Sequence, residues 1–301
     1  MTTDALRWAR ALVVVALAAV AGSACDITVG AGPYTMHEEK RFQVTGTPDL
    51  SLATFDGSVE VRSWDRSDVL VEIEKRASDQ SQAEAITVTA EQAGGTISVD
   101  VRRPDGAQRT FGFSVSPSAR IVASVPSRCN LLVRSGDGSI RIERVEGRIE
   151  LHSRDGSLRG IDLSGSVVAR TGDGSMRFDN MTGAIDAQSG DGGARLSGRL
   201  TAVKLRTGDG SVAVRAEDGS AMAEDWEIRT GDGGLRVELP ESFKANLDAS
   251  TGDGRVRLLG FGGPEQASDR ADRGSLERQL GGGGRRLRLR SDSGTITVKT
   301  L

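Results

Sequence analysis

A series of seven Asp-Gly pairs runs from Asp137 to Asp253. Asp137, Asp155, Asp173, Asp191 and Asp209 lie 18 residues apart, and Asp232 and Asp253 continue the series less regularly. Carboxylates stacked at the spacing of neighbouring strands, about 4.8 Å, repel by roughly 3–4 kcal/mol per pair at an effective dielectric of 20, and by under about 1 kcal/mol in water. Such a row must be solvated, neutralised or metal-bound. Two chemistries fit. Nine-residue Gly/Asp repeats hold calcium between turns, but here the aspartate recurs only in alternate nonapeptides, with Glu146, Ser164 and Thr182 in the places between. Asp-Gly is also what a tight turn requires, with the carboxylate bonding locally and glycine supplying a positive φ.

Arginines accompany the aspartates. Arg141, Arg159, Arg177, Arg195, Arg236 and Arg257 stand four residues after the Asp, with Ala213 in the remaining place. Arg134, Arg170, Arg206 and Arg229 stand three before it, alternating with His152, Gln188 and Ser250. A basic stripe of this kind offers a surface to anionic glycans or lipid headgroups; equally, it offsets the aspartates and keeps a sheet soluble. Ser135, Ser153, Thr171, Ser189, Thr207, Thr230 and Thr251, two before each Asp, form a hydroxyl ladder expected to bond backbone at the corner. Catalytic equipment is sparse. The chain has two histidines, His37 and His152, and no metal-ligand spacing. The wide corner around Glu224-Asp225-Trp226 is either a ligand site or a tryptophan packed over a long turn.

The first residues read as an export signal: Arg7 and Arg10, an apolar run from Ala11 to Ala21, then Gly22-Ser23-Ala24 before Cys25. The run is too short to span a bilayer as a mature helix. A cysteine at that junction is where a bacterial lipoprotein carries its lipid, so Cys25 is the expected attachment point; ordinary cleavage after Ala24 would leave the protein secreted. Cys129 is the only other cysteine, which excludes a disulfide framework within one chain. The net charge of −3, with both signs interspersed, argues against a nucleic-acid partner.

The elements that position these residues follow from the period. Gly138, Gly147, Gly156, Gly165, Gly174, Gly183 and Gly192 recur every nine residues, and apolar or small residues stand two and four places after most of them. Alternation bounded by glycine describes a short half-buried strand, so each nonapeptide is one strand and one turn. The columns Leu131, Ile149, Val167, Ile185, Val203 and Ile140, Leu158, Met176, Ala194, Val212 would then stack. With glycine at 39 residues and aromatics at 4%, the expected fold is all-β: a single-stranded parallel β-solenoid (a β-helix or β-roll) with 18-residue coils, right-handed by the general preference of parallel crossovers. The organisation expected is a signal peptide (1–24), an anchor or linker (25–39), irregular N-terminal coils (40–130) and regular coils of 18–23 residues (131–259). A glycine-rich excursion with a helical turn near Ser275 to Leu280 (260–286) and a terminal coil with an open last strand (287–301) complete it.

The runs Ser135-Gly136-Asp137-Gly138-Ser139, Thr171-Gly172-Asp173-Gly174-Ser175 and Thr207-Gly208-Asp209-Gly210-Ser211 resemble the bacterial putative-adhesin family, a β-helical domain of unknown function. Pro240 and Phe243 before Asp248 to Gly254, and Gly281 to Gly284 before the last strands, are similar to its late segment. The resemblance covers roughly residues 40–301. It implies an exported or anchored β-solenoid with no catalytic residue or cofactor to carry over. The expected function is therefore a non-enzymatic, adhesin-like binding or scaffold module of the cell envelope, periplasmic or on the surface, held to the membrane through Cys25. Its partner would be a surface, a glycan or a protein. The alternatives are a carbohydrate-active β-helix enzyme and a calcium-binding β-roll.

Overall fold

A computed structural model describes residues 26–28, 34–103, 116–261, 266–267 and 274–301. The fold is all-β apart from one short helix, Gln80–Glu84, and the strands of the described residues lie in one hydrogen-bonded sheet of mixed orientation. Short strands with buried–exposed alternation lie in two ladders. The first contains Asn130–Ser135, Glu146–Ser153, Ser164–Thr171, the second halves of Met176–Ser189 and Ala194–Arg206, then Trp226–Thr230. The second contains Ile140–Glu143, Leu158–Ile161, the first halves of those two long strands, Val212–Ala216 and Leu235–Leu239.

The registers follow the columns read from the sequence. Leu131, Ile149, Val167, Ile185 and Val203 are successive parallel partners. So are Ile140, Leu158, Met176, Ala194 and Val212. Partners in these runs are therefore 18 residues apart. The offset widens to 23 residues at Val212↔Leu235 and Leu205↔Ile228, where the long corner intervenes. Inward side chains of both ladders form one continuous core of Ile, Val, Leu and Ala. No single turn of chain has enough apolar surface to bury alone, so stacking supplies the stability.

Both ends depart from the expected all-parallel stack. At one end Asp68–Ala77 runs antiparallel to Ser118–Pro126 and to Tyr34–Gln43, and Thr87–Ala93 forms a hairpin with Thr96–Arg102. At the other, Ser275–Leu280 is a strand rather than a helical turn, antiparallel to Ala245–Thr251. Antiparallel hairpins close a stack within the same chain, whereas an open parallel edge would invite a second molecule. The last strand is also not terminal in space. Ile296–Thr300 lies between Leu235–Leu239 and Val256–Leu259, paired in parallel to both. Arg286–Ser291 is interposed in the same way between Trp226–Thr230 and Ala245–Thr251. The open terminal edge expected for the final strand is therefore occupied on both sides. The segment expected as a linker is largely structural too: Tyr34–Gln43 is a ten-residue strand, and Asp26–Thr28 pairs with its start.

Candidate functional site

The aspartate row lies where the two ladders meet, at the end of each first-ladder strand. Asp137, Asp155, Asp173, Asp191, Asp209, Asp232 and Asp253 are all exposed. Asp137 faces the Arg154 guanidinium at 3.6 Å, and Asp232 accepts from the Ser293 hydroxyl at 2.9 Å. Among the described residues, no three Asp, Glu, His or Cys side chains gather at a spacing suited to a metal ion. The seven carboxylates stand exposed at the corners between the ladders.

The glycine beside each aspartate has a different reason from the one expected. Gly138, Gly156, Gly174, Gly192 and Gly210 do not have φ in the left-handed range; a Cβ at each would overlap the carbonyl oxygen of the glycine one turn away. Close approach selects glycine here. Left-handed glycines do occur, but at the opposite corner, as in Gly165 and Gly183 with φ of 115° and 126°. Just before them, Asp162 and Asn180 take φ of 55°, joined by a 2.6 Å bond from Asn180 Nδ2 to Asp162 Oδ1.

The hydroxyl ladder ties the Asp-Gly corners together. Ser135 donates to Gly57 O at 2.9 Å, Ser153 to Gly138 O at 3.0 Å, Thr171 to Gly156 O at 2.9 Å and Ser189 to Gly174 O at 2.9 Å. Thr230 and Thr251 repeat the bond to Gly210 O and Gly294 O at 2.7 and 2.8 Å. These hydroxyls are buried and spend their donors on backbone, so they are structural.

The two arginine columns differ in a way that decides which face can bind. On the first ladder the outward cations are largely neutralised. Arg170 pairs with Asp186 at 2.9 Å, Arg206 with Glu227 at 3.0 Å and Arg290 with Asp248 at 2.8 Å; His152 bonds Glu150 at 2.6 Å. On the second ladder the row runs Arg141, Arg159, Arg177, Arg195, Ala213, Arg236, Thr297, Arg257 across successive strands. Arg141 and Arg177 are held by Glu143 and Asp179, with Nε–O distances of 2.6 and 2.7 Å. That bond holds the Arg177 guanidinium above its ordinary pKa, and the Coulombic attraction of Asp179 adds to it. Arg159, Arg195, Arg236 and Arg257 are exposed and have no ion-pair or hydrogen-bond partner among the described residues. Sequence reading found this column but not its division. The signal was present: an acid stands two residues after Arg141 and Arg177, whereas Ile161, Ser197, Glu238 and Leu259 stand two after the other four, and Glu238 is engaged by Arg215 and Lys299 at 3.2 and 3.0 Å. Thr297 was missed because it joins the row from the far end of the chain.

Small residues in this row and in the column two residues before it leave the surface low. Gly193, Ala213 and Gly234 lie in an open trough of about 690 Å³ flanked by Arg177, Arg195, Arg236 and Arg257, with Ser175, Ser211 and Thr295 along one side. A second hollow of about 540 Å³ runs on past Ser197, Arg215 and Glu238. Among the described residues Glu238 is the one carboxylate lining either part.

The remaining candidates are accounted for by packing. Trp226 is fully buried, with its ring centroid 5.2 Å from that of Phe243 and its Nε1 donating to Thr201 O at 3.3 Å. It fills the wide corner and leaves no platform for a sugar. Cys129 is buried, and burial, reinforced by the Asp49 charge, pushes its thiol up to about 12, leaving it unreactive at neutral pH. Cys25 lies outside the described residues. No helix among the described residues is long and apolar enough to cross a membrane.

Comparison with known proteins gives a family but no activity. Residues 48–299 match the family model described as Toastrack DUF4097. No curated protein matches. Among solved structures, the chain is similar to a putative adhesin from Bacteroides fragilis (12% identity, 88% of this chain and 97% of that one, TM-score 0.46). It is also similar to a putative lipid binding protein from Parabacteroides distasonis (12%, 88% and 96%, 0.43) and to a putative adhesin from the same organism (11%, 88% and 97%, 0.37).

Proposed function

The chain belongs to the Toastrack DUF4097 family, and on that premise we propose that it is an exported, lipid-anchored envelope protein acting as a non-catalytic, adhesin-like binding or scaffold module. Its working part is a right-handed parallel β-solenoid with coils of 18–23 residues through 131–259. The observation that carries the reading is the second-ladder face: a long, continuous strip of strands with outward arginines left without partners and a single carboxylate in its trough. A surface of that kind holds a ligand. A glycoside-cleaving enzyme needs a pair of carboxylates across the bond it breaks, and a trough with Glu238 alone does not provide them.

Anchoring rests on Cys25 following Gly22-Ser23-Ala24. Asp26–Thr28 already pairs with Thr35 to His37, so a lipid on Cys25 would hold the antiparallel end of the sheet next to the membrane and direct the arginine face along the stack away from it.

Protease treatment of intact cells, comparing the wild type with Cys25→Ser, tests the proposal. Cleavage of the wild type on intact cells, with release of the variant into the medium, is the expected result. Protection of the wild type until the envelope is opened would replace the adhesin role with a periplasmic scaffold. Equal membrane retention of both proteins would remove the lipid anchor.

A further inference from the structure

The unpaired arginines of the second ladder are not merely numerous; they are periodic. Along the row, Arg159 is followed by Arg177, Arg195, Ala213, Arg236, Thr297 and Arg257, one residue per strand. Arg177 is neutralised by Asp179, and Ala213 and Thr297 carry no charge. Guanidiniums without an ion-pair partner among the described residues therefore stand on every second strand: Arg159, Arg195, Arg236 and Arg257. At about 4.8 Å per strand, their backbones repeat at roughly 9.6 Å.

We propose that this trough binds an extended acidic polysaccharide carrying one carboxylate for every two sugar rings, laid across the strands with its charges in step with the free arginines. A pyranose ring in an extended chain advances by about one strand spacing, so a carboxylate on alternate rings returns at the arginine period. Arginine suits the task, since its fork meets a carboxylate with two parallel N–H···O bonds. Ser175, Ser211 and Thr295 along one flank supply hydroxyls for ring oxygens and hydroxyls. The exposed aspartate row runs at the corner, four residues before the arginine row in sequence, and keeps an anionic chain on the arginine line.

The shape favours a glycan over the other polyanions. A lipid surface holds a protein through inserted apolar side chains as well as charge. The trough has no exposed large apolar side chain on its rim; among the described residues, Leu301 is the one large hydrophobic that is exposed. Single-stranded nucleic acid is held by stacking on aromatic rings, and no aromatic lines either part of the trough. The inference rests on the reading of this face as a binding surface, but not on where the protein is anchored.

Purified protein lacking residues 1–24 should be titrated calorimetrically with a four-disaccharide hyaluronan oligomer, which has one carboxylate per two rings. Oligogalacturonate of equal length (one per ring), neutral dextran, polyphosphate, a single-stranded oligonucleotide and phosphatidylglycerol vesicles serve as comparisons. The expected order places the alternating oligomer ahead of the more densely charged oligogalacturonate and polyphosphate, with no binding of dextran. Arg195→Gln with Arg236→Gln should weaken binding at least tenfold and flatten its dependence on salt, since exposed charge pairs are screened. Arg170→Gln with Arg206→Gln, on the ion-paired face, should change affinity less than twofold. Matching circular dichroism and melting curves exclude misfolding as the cause. Affinities that merely follow charge density overturn the matched spacing. Preference for vesicles or the oligonucleotide overturns the glycan. Tight binding indifferent to the Arg195/Arg236 pair overturns the site while leaving the binding-module reading intact, whereas no binding of any polyanion counts against both.

Discussion

Gly160 interrupts an otherwise apolar inward column, and Phe178 occupies the space it leaves. A Cβ at position 160 would lie 2.5 Å from Phe178 Cδ1 and 2.6 Å from Leu163 Cδ1. The two residues are direct partners across neighbouring parallel strands, so the missing side chain of one is the volume of the other. Gly160→Ala should therefore overpack the core and cost about 1–3 kcal/mol, despite the better strand propensity of alanine. Phe178→Leu alone should cost a comparable amount by leaving a void. Combining them should cost less than the sum, since the leucine frees the space the alanine needs. Urea denaturation of the four proteins measures this, and strict additivity would separate the two sites. The same logic of close approach governs the Asp-Gly corners. There the sequence period located the glycines, but their cause lies in a carbonyl one turn away, which only the stacked structure reveals.

Strand insertion determines stability at the level of elements. Arg286–Ser291 and Ile296–Thr300 each have parallel partners on both sides, so the final sixteen residues form a layer within the sheet rather than its end. Removing residues 286–301 should strip the neighbouring strands Ala245–Thr251 and Val256–Leu259 of one ladder each and expose Leu287, Leu289, Ile296 and Val298 partners in the core. The expected outcome is early proteolysis within 240–261 together with a melting temperature lower by several degrees, at about 2–4 °C per kcal/mol for a domain of this size. Retention of wild-type protease resistance would show that the two sides close over the gap. This insertion was not legible in the sequence. From Asn130 to Arg206 the 18-residue interval names most partners, because turns of equal length stack in register; a bulge shifts Met181 to Gly183 to an interval of 17. After Leu259 the interval ends. Alternation still marks Leu287 to Arg290 as strand, yet no local property states which edge a strand will join. The same holds for Asp49–Thr54, which lies between Thr96–Arg102 and Asn130–Ser135. The arginine column of the candidate site was legible for the reason the core was; its charge pattern was not, because it depends on ion pairs within strands and on Thr297 arriving from the far end.

The molecule as a whole must avoid stacking on copies of itself, because a parallel ladder offers the same backbone donors and acceptors at each end. Its solution is to close with antiparallel strands whose outer side chains are polar. At the C-terminal end this is Ser275–Leu280, where Glu277, Arg278 and Gln279 are exposed on the edge next to Ala245–Thr251. Charge at an edge opposes strand addition, since a second chain would have to bury or oppose it. The wild-type protein is therefore expected to sediment as a monomer over a wide concentration range. Replacing Glu277, Arg278 and Gln279 together by threonine raises strand propensity and removes both charges while preserving the pairing to Asn246, Leu247 and Asp248. That variant should fold, melt near the wild-type temperature and associate end to end as concentration rises. Sedimentation velocity distinguishes the outcomes. Concentration-dependent growth places the protection in these side chains, whereas a monomeric variant places it in the twist or shortness of the strand itself. A wild type that already self-associates would mean that the caps do not protect the ends, and that the arginine trough continues from one molecule into the next.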